Sequence, residues 1–265
     1  MDPFFWQSVL VGFVAQFIDG ALGMAYGLVS TSFLLAFGVS PAAASAAVHA
    51  AEMFTTGASG AAHVWRRNVQ WGLVLRLAPA GIVGGIAGAL AVSYLPVNII
   101  KPVVSAYLLI MGVFVVVLAL RGPIEPPERP KGIKRLGLIG GFLDAAGGGG
   151  WGPIVTTTLL GRGHGARQTV GSVNASEFLV TAAISATFFL TLGSVRWSDI
   201  AGLLVGGLAA APIAAFAVSV ARPRMLMGGI GCFVVSLSLW QIAVAVDPQM
   251  TFLAAFPSSQ ALAHP

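Results

Sequence analysis

The sequence contains very little charge. Only 9% of its 265 residues are Asp, Glu, Lys or Arg, whereas 57% are hydrophobic. Soluble domains carry about 25% charged residues. A soluble protein with this composition could not cover its surface with polar side chains. The composition therefore indicates a polytopic membrane protein and makes the lipid bilayer its first partner.

Cysteine is also scarce, and the histidines are scattered. Cys232 stands alone in an apolar stretch, which excludes a disulfide framework and a cysteine-based metal site. His49 and His63 are fourteen residues apart, and His164 lies in a predicted loop, so the spacing gives no set of metal ligands. No nucleophile–base pair typical of an enzyme is present either. We therefore expect no metal, no cofactor and no enzymatic activity.

What the sequence does contain is apolar stretches of membrane-spanning length. The first and fifth stretches are each interrupted by a glycine-rich run, and their halves are too short to cross a bilayer alone. These two are predicted to form either broken helices that cross the membrane or re-entrant hairpins. The other six fit ordinary spanning helices, so the fold class is all-α. The eight stretches are 4–38, 41–64, 71–95, 98–120, 134–161, 166–193, 198–221 and 225–246.

Lys and Arg occur in small clusters between the apolar stretches, which is typical of topology-setting loops and does not predict nucleic-acid binding. If all eight stretches cross the membrane, nine of these residues lie on one side and five on the other. If the first and fifth are re-entrant, the division becomes twelve against two. The positive-inside rule favours the re-entrant arrangement. Three spans and one hairpin per half would turn the second half upside down relative to the first.

The two halves of the chain resemble each other in sequence. Residues 12–56 align without gaps on residues 137–181, with fourteen of 45 positions identical. Shared apolar composition would not align acidic residues, so we interpret the pattern as a duplication. It predicts a first repeat over 1–120, a charged, proline-rich cytoplasmic linker over 121–133, a second repeat over 134–246 and a C-terminal tail over 247–265. The identities include two acidic pairs, Asp19/Asp144 and Glu52/Glu177.

These four acidic residues lie inside apolar stretches and are the main functional candidates. A charged, unpaired side chain costs about 3 kcal/mol in the middle of a membrane. Because the four form repeat-matched pairs, we expect them to meet near a common centre, where they could accept protons or coordinate a cation. For Asp19 and Asp144, an equal alternative is that the carboxylate caps the start of a broken helix.

A histidine and an asparagine occupy matching places beside the two glutamates. His49 lies three residues before Glu52, and Asn174 lies three residues before Glu177, so each pair shares a helix face. The first pair could act as a proton relay, since an imidazole titrates near the working pH. Alternatively, His49 merely forms a hydrogen bond with the neighbouring carboxylate. Asn174 is a candidate contact for substrate.

The glycine-rich runs are candidate substrate sites. The second run has four consecutive glycines, whose N–H groups could converge on an anion as a nest. Buried carboxylates would repel that anion unless they were protonated, which suggests proton-coupled movement. Carbonyl oxygens and carboxylates at the same breaks could equally hold Na⁺. The candidate substrate contacts here are Gly147, Gly148, Gly149, Gly150, Trp151, Gly23, Tyr26, Thr31 and Thr156.

Three motifs resemble the TauE/SafE sulfite exporter family of bacterial membrane transporters. They are the repeated F-x-D-G/A-A-x-G-x-x-aromatic-G pattern, the G-G-G-G-W-G-P run that begins at Gly147, and G-S-V-N-A-S-E-F over 171–178. The first copy of the glycine pattern departs from the second, with Leu22, Met24 and Ala25 in place of glycine. Any anion site should therefore depend more on the second copy.

The resemblance implies a secondary transporter in the bacterial cytoplasmic (inner) membrane. Such a protein exports sulfite, sulfoacetate or a related organosulfur anion, and it is compatible with a homo-oligomer. The acidic residues Asp19, Glu52, Asp144 and Glu177, with His49, would couple transport to protons. Two alternatives remain open: a cation-coupled importer of a small anion, and a membrane scaffold or assembly factor that transports nothing.

Overall fold

The computed structural model describes residues 3–22, 24–121, 132–162, 164–193, 196–217 and 223–246. Within these ranges helices are the only regular secondary structure, which confirms the all-α prediction. Most of the predicted linker and the whole C-terminal tail lie outside the described residues. The helices are α1 Pro3–Leu22, α2 Tyr26–Ala36, α3 Pro41–Trp65, α4 Trp71–Tyr94, α5 Val97–Arg121, α6 Ile133–Gly147, α7 Thr157–Gly161, α8 Ala166–Leu192, α9 Trp197–Ala217 and α10 Pro223–Val246, with a π-helical segment Gly152–Thr156 immediately before α7.

The helix boundaries agree with the predicted apolar stretches to within a few residues. The start of α3 shows the local reason for this agreement. Ser40 precedes the helix in an extended conformation, and its side chain accepts a hydrogen bond from the Ala43 N–H. Pro41 fits the first helical position because that residue needs no hydrogen-bonded N–H.

Among the described residues, four helices are long and apolar enough to cross a membrane: α4, α5, most of α8 and most of α10. Large apolar side chains are exposed on all four, as Leu75, Ile110, Leu190 and Leu239 show. Exposed apolar surface on this scale is expected where a protein faces lipid. The architecture is therefore that of a multi-pass membrane protein.

Both predicted interruptions are present as helix breaks. The first separates α1 from α2, and Ala25 adopts a φ of 109° there. The second follows Gly147, and Gly148 and Gly149 have φ values of 69° and 149°. After the second break the chain folds back on α6. The approach is so close that a Cβ added to Gly140 would lie only 2.7 Å from the Val155 side chain.

The helices pack in reciprocal pairs, each of which joins a helix from the first half of the chain to one from the second half. α1 lies along α9, and α6 lies along α4, while α3 packs on α8 and α5 on α10. The first two pairs use the same kind of contact. Gly12 of α1 lies against the backbone of Leu203, and Gly137 of α6 lies against the backbone of Leu77. A side chain at either glycine would overlap the neighbouring helix, so these helices approach closely only because glycine stands there.

The central pair, α3 and α8, runs antiparallel. The backbone N–H of Gln70, just beyond α3, donates to the Ser172 hydroxyl at 2.8 Å, and Asn174 donates to the Ser59 hydroxyl at 2.9 Å. The end of α3 thus lies beside the start of α8. We call this end of the pair the arginine-rich face, because the following residues occur there: Arg66, Arg67, Arg162 and Arg167.

Candidate functional site

A cavity of about 260 Å³ lies between α3, α8 and the two helix breaks. It extends along the α3–α8 interface from the level of Glu52 to His63, near the arginine-rich face. Its lining residues are Gln16, Asp19, Met24, Ala25, Tyr26, Gly27, Leu28, Glu52, Thr55, Thr56, Ser59, His63, Asp144, Gly150, Gly152, Pro153, Val170, Asn174 and Glu177.

The four acidic candidates all line this cavity. Glu52 lies close enough to the other three to interact with each of them electrostatically. No Lys or Arg is among the lining residues that the structure describes. The site is therefore a concentrated set of carboxyl groups inside the protein, without a fixed positive side chain on its described wall to balance it.

Asp19 and Asp144 occupy equivalent positions at the two breaks. Each accepts a hydrogen bond from the backbone N–H seven residues later, from Tyr26 at 3.2 Å and from Trp151 at 2.9 Å. Both carboxylates thus satisfy an N–H at the start of the helical segment that follows the break. The capping alternative describes their local geometry, and both residues also reach the cavity.

Glu52 lies in the uninterrupted helix α3 and has a less complete set of partners. The backbone of Gly27 forms a hydrogen bond with its carboxyl group. Its second carboxyl oxygen, Oε2, is buried and has no hydrogen-bond partner among the described residues. An unpartnered carboxyl oxygen at the wall of a cavity is available to a proton or a ligand.

His49 does not bond Glu52, the residue three positions further along its own helix. Its Nε2 lies 3.2 Å from Asp144 Oδ2, and its Nδ1 lies 2.8 Å from the carbonyl oxygen of Ser45. That carbonyl can only accept, so Nδ1 carries a hydrogen. Nε2 and Asp144 Oδ2 then form a hydrogen bond only when one of the two atoms carries a hydrogen. The imidazole points to Asp144 because one oxygen of that carboxylate remains free after the other caps Trp151.

Asn174 takes a different position from His49, its counterpart in the sequence repeat. Its amide donates to the Ser59 hydroxyl across the α3–α8 interface, and its side chain lines the cavity. His49, in contrast, is fully buried and does not line it. The structure therefore brings Asn174 to the candidate substrate space and leaves His49 behind Asp144.

The four consecutive glycines serve mainly as packing positions. Gly147 and Gly150 lie against Tyr107, and Gly149 lies against the backbone of Gly27. The N–H groups of Gly148 and Gly149 both donate to the Asp144 carbonyl oxygen. Because those N–H groups are already bonded, they do not converge on the cavity as the nest hypothesis expects. Of this run, only Gly150 lines the cavity.

Three further candidates also lie away from the cavity. Trp151 is fully buried against Gly81, and Thr156 is buried in the π-helical segment. The Thr31 hydroxyl donates to the Gly148 carbonyl oxygen and so joins the two breaks. Tyr26, the counterpart of Trp151, does line the cavity. Gly23 lies outside the described residues.

Sequence reasoning missed a polar stripe on α3. Thr55, Ser59 and His63 follow Glu52 at intervals of three or four residues and line the cavity towards the arginine-rich face. This interval places side chains on one helix face. The signal was present in the sequence, because α3 is otherwise rich in alanine, and polar residues on one face of such a helix indicate an aqueous surface.

Comparison with known proteins agrees with this architecture. The chain is 42% identical over 253 residues to a protein described as a probable membrane transporter protein, YtnM, from Bacillus subtilis (strain 168), and the match covers 90% of this chain and 84% of that one. No solved structure gave a significant match. The model of the family described as sulfite exporter TauE/SafE matches residues 8–240. The chain therefore belongs to the TauE/SafE family of membrane transporters.

Proposed function

We propose that this protein is a proton-coupled secondary transporter that exports sulfite or a related organosulfur anion from the cytoplasm. The observation that carries the proposal is the cavity itself. Four carboxyl groups from both halves of the chain line it, and no Lys or Arg does so among the described lining residues. The family supplies the substrate class, and the cavity supplies the means of coupling.

Proton coupling would follow from the size of the electrostatic repulsion between a carboxylate of the cavity and the bound anion. At an effective dielectric constant of about 20, two unit charges about 4 Å apart interact with about 4 kcal/mol. That energy equals the whole binding free energy of a ligand with a dissociation constant of about 1 mM. A single ionised carboxylate beside the anion would thus abolish binding of ordinary strength. Protonation of the carboxyl groups that face the anion would remove the repulsion, so binding of the anion would be linked to binding of protons.

Neutral donors are available to bind an anion once the carboxyl groups are protonated. Asn174 presents one amide N–H beyond the one bonded to Ser59, and the Ser59 hydroxyl accepts that bond and keeps its own hydrogen. The Thr55 hydroxyl already donates to the Glu52 carbonyl oxygen. The start of α2 also lies at the cavity, where Leu28 is a lining residue. Two of the first N–H groups of α2 already bond carboxyl groups, that of Tyr26 to Asp19 and that of Gly27 to Glu52, so the side-chain donors would contribute most of the binding. A small oxyanion would be bound by these groups and not by the glycine run.

We further propose that the chain consists of two inverted repeats, each beginning with a re-entrant hairpin. The sequence alignment supports this, as do the reciprocal helix pairs and the matching contacts of Gly12 and Gly137. The fold-back of the second break onto α6 supports the hairpin. By the positive-inside rule, the arginine-rich face would be cytoplasmic. The cavity would then be open to the cytoplasm, as expected for an exporter awaiting substrate.

The direct test is flux in proteoliposomes that contain the purified protein. Sulfite, sulfoacetate, thiosulfate and sulfate are supplied with and without a pH gradient. We expect flux of sulfite or sulfoacetate, and we expect its rate to change when the pH gradient is imposed or reversed. Flux that ignores the pH gradient would contradict proton coupling, and absence of flux for the whole panel would contradict the substrate class.

Neutral variants test the carboxyl groups themselves. Glu52→Gln and Glu177→Gln keep the size of each side chain and remove its titration. We expect each variant to lose at least about 10-fold of the proton-driven flux, because one coupling proton can no longer be bound and released. The matched control is Ser238→Ala, which removes a buried polar group of α10 that does not line the cavity. Normal proton-driven flux in both glutamine variants would contradict the coupling role of Glu52 and Glu177.

A second candidate is a Na⁺-coupled importer of a small anion. The unpartnered Oε2 of Glu52 is also suited to a cation. It lies among the carboxyl groups of the cavity, and no Lys or Arg is among the described lining residues. The same proteoliposomes distinguish the two mechanisms. Flux that follows an imposed Na⁺ gradient and ignores pH would favour the importer.

A further inference from the structure

The cavity occupies only one end of the α3–α8 interface. Its wall on α3 is formed by Thr55, Ser59 and His63, which approach the arginine-rich face. Continued beyond residue 56 with the same shift of 125 residues, the sequence alignment matches them with three residues on α8: Val180, Ile184 and Phe188. Because α3 and α8 run antiparallel, this second stripe leads from Glu177 towards the opposite face. We call it the apolar stripe.

The apolar stripe is tightly packed where its counterpart lines a cavity. Val180 and Ile184 are fully buried, and Phe188 is 1% exposed. Two glycines of α4 allow this contact. A Cβ on Gly81 would lie 2.8 Å from a Val180 methyl, and a Cβ on Gly85 would lie 2.7 Å from Ile184. The side chains of the apolar stripe therefore pack directly against α4.

Two of the functional candidates complete this closed region. The ring of Trp151 packs at Gly81, beside Val180. The ring of His49 lies 6.4 Å from that of Phe188, measured between centroids. Their counterparts in the repeat, Tyr26 and Asn174, both line the open cavity. Corresponding residues thus surround a space at one end of the interface and fill it at the other.

We propose that the apolar stripe is the closed exit half of the transport path. The inference rests on the proposed function, because only a transporter needs a second passage, and inverted repeats provide one by exchanging their conformations. The substrate anion would leave between α8 and the first half of α3, past Ser45 and His49. Apolar side chains at a constriction exclude water and ions until they separate.

Opening this half would also expose the contact between His49 and Asp144. In the present state His49 is fully buried, and Asp144 reaches only the cavity on the arginine-rich side. Separation of the apolar stripe from α4 would give His49 access to the opposite face. Asp144 would face the arginine-rich side in the present state, and His49 would face the opposite side after opening. His49 would therefore do more than hold Asp144 in place.

The test uses single cysteines in a Cys232→Ser background, since Cys232 is exposed and would react. Ile184→Cys reports on the apolar stripe, and Ser59→Cys reports on the corresponding place in the cavity. Val115→Cys is the matched control, because Val115 is similarly buried in α5 but lies on neither stripe. A charged, membrane-impermeant thiol reagent is applied from either face of proteoliposomes that contain the full chain. Sulfite flux is measured on the same preparation.

We expect Ser59→Cys to react from the arginine-rich face and Ile184→Cys to react only from the opposite face. The labelling of Ile184→Cys should rise at least about 5-fold when substrate and a pH gradient drive turnover. Val115→Cys should not react from either face. Val180→Cys repeats the measurement one turn away, so that a folding defect in one variant does not decide the result.

The outcomes separate the inference from the function on which it rests. Sulfite flux without labelling at 184 or 180 from the opposite face would overturn the exit path and leave the transporter intact. Labelling from that face without flux of any anion in the panel would support the path and overturn the proposed substrate. Absence of both would overturn both.

Discussion

The first helix break lines the cavity over most of its length, whereas the second meets the cavity at fewer residues and is otherwise packed within the protein. Asp19 is half-buried and accepts one backbone hydrogen bond, from Tyr26. Asp144 is buried, accepts the corresponding bond from Trp151 and also contacts His49. The same local structure is thus built twice, but with an aqueous space beside one copy and a fixed partner beside the other.

This difference explains why the second copy contains more glycine. Its residues pass close to Gly27, Thr31 and Tyr107, which leave no room for side chains. The first copy has Met24 and Ala25 at matching places, and both line the cavity. Glycine content here follows the closeness of packing and not the position of the proposed substrate.

The largest expected effect comes from giving the second break a side chain. In Gly149→Ala, the new Cβ would lie 2.6 Å from the Gly27 Cα, at a backbone φ of 149°. Overpacking costs about 1–3 kcal/mol and an unfavourable φ about 1–2 kcal/mol. We expect a loss of about 2–5 kcal/mol in stability, measured as a large fall in melting temperature or in recovery from the membrane.

Gly38→Ala is the matched control for that variant. Gly38 also has a positive φ, of 83°, but a Cβ added there would meet nothing within 4 Å. Only the backbone cost of about 1–2 kcal/mol should remain. Equal losses in the two variants would show that the contact between the breaks contributes nothing.

A smaller effect should separate the two aspartates. Asp144→Asn keeps an oxygen for the Trp151 N–H but removes the charge opposite His49, and hydrogen bonds to charged groups contribute about 1.5–3 kcal/mol. Asp19→Asn keeps an oxygen that can accept from the Tyr26 N–H, so its cost should be under about 1 kcal/mol. Melting temperatures of the two purified variants check the difference.

Flux measurements complete the comparison of the aspartates. If Asp19 acts through the cavity, Asp19→Asn should reduce proton-driven flux while the protein stays nearly as stable as the wild type. Asp144→Asn should reduce both. An Asp19→Asn protein that is strongly destabilised, or one with unchanged flux, would show that the two breaks do not divide these roles.

Much of the fold could be predicted from the sequence because apolar stretches and glycine runs act locally. The stretches 41–64 and 71–95 correspond closely to α3 and α4, and both breaks occur within the glycine-rich runs. The four acidic residues could be expected to meet because the repeat pairs them. Each of these features depends on spacing or on composition, which the sequence displays directly.

Other features of the site depend on contacts between distant segments. Helical spacing places His49 near Glu52, yet its partner is Asp144, 95 residues away in sequence. Four adjacent glycines fit both an anion nest and a packing contact, and only the nearness of Tyr107 and Gly27 decides between them. Likewise, Trp151 and Tyr26 match in the alignment, but one is packed in the core and the other lines the cavity.

The smallest predicted effect concerns the tyrosine hydroxyl groups beside the two helix breaks. Tyr107 donates to the Gly149 carbonyl oxygen at 3.0 Å, whereas the Tyr26 hydroxyl lies 3.5 Å from the Leu203 carbonyl oxygen, at the limit of a hydrogen bond. Tyr107→Phe keeps the ring against Gly147 and loses one bond, so stability should fall by about 1 kcal/mol. Tyr26→Phe should leave stability unchanged. Melting temperatures that fall equally in both variants would mean that the second break is no more firmly held than the first, and the contrast between an open and a packed break would then rest on burial alone.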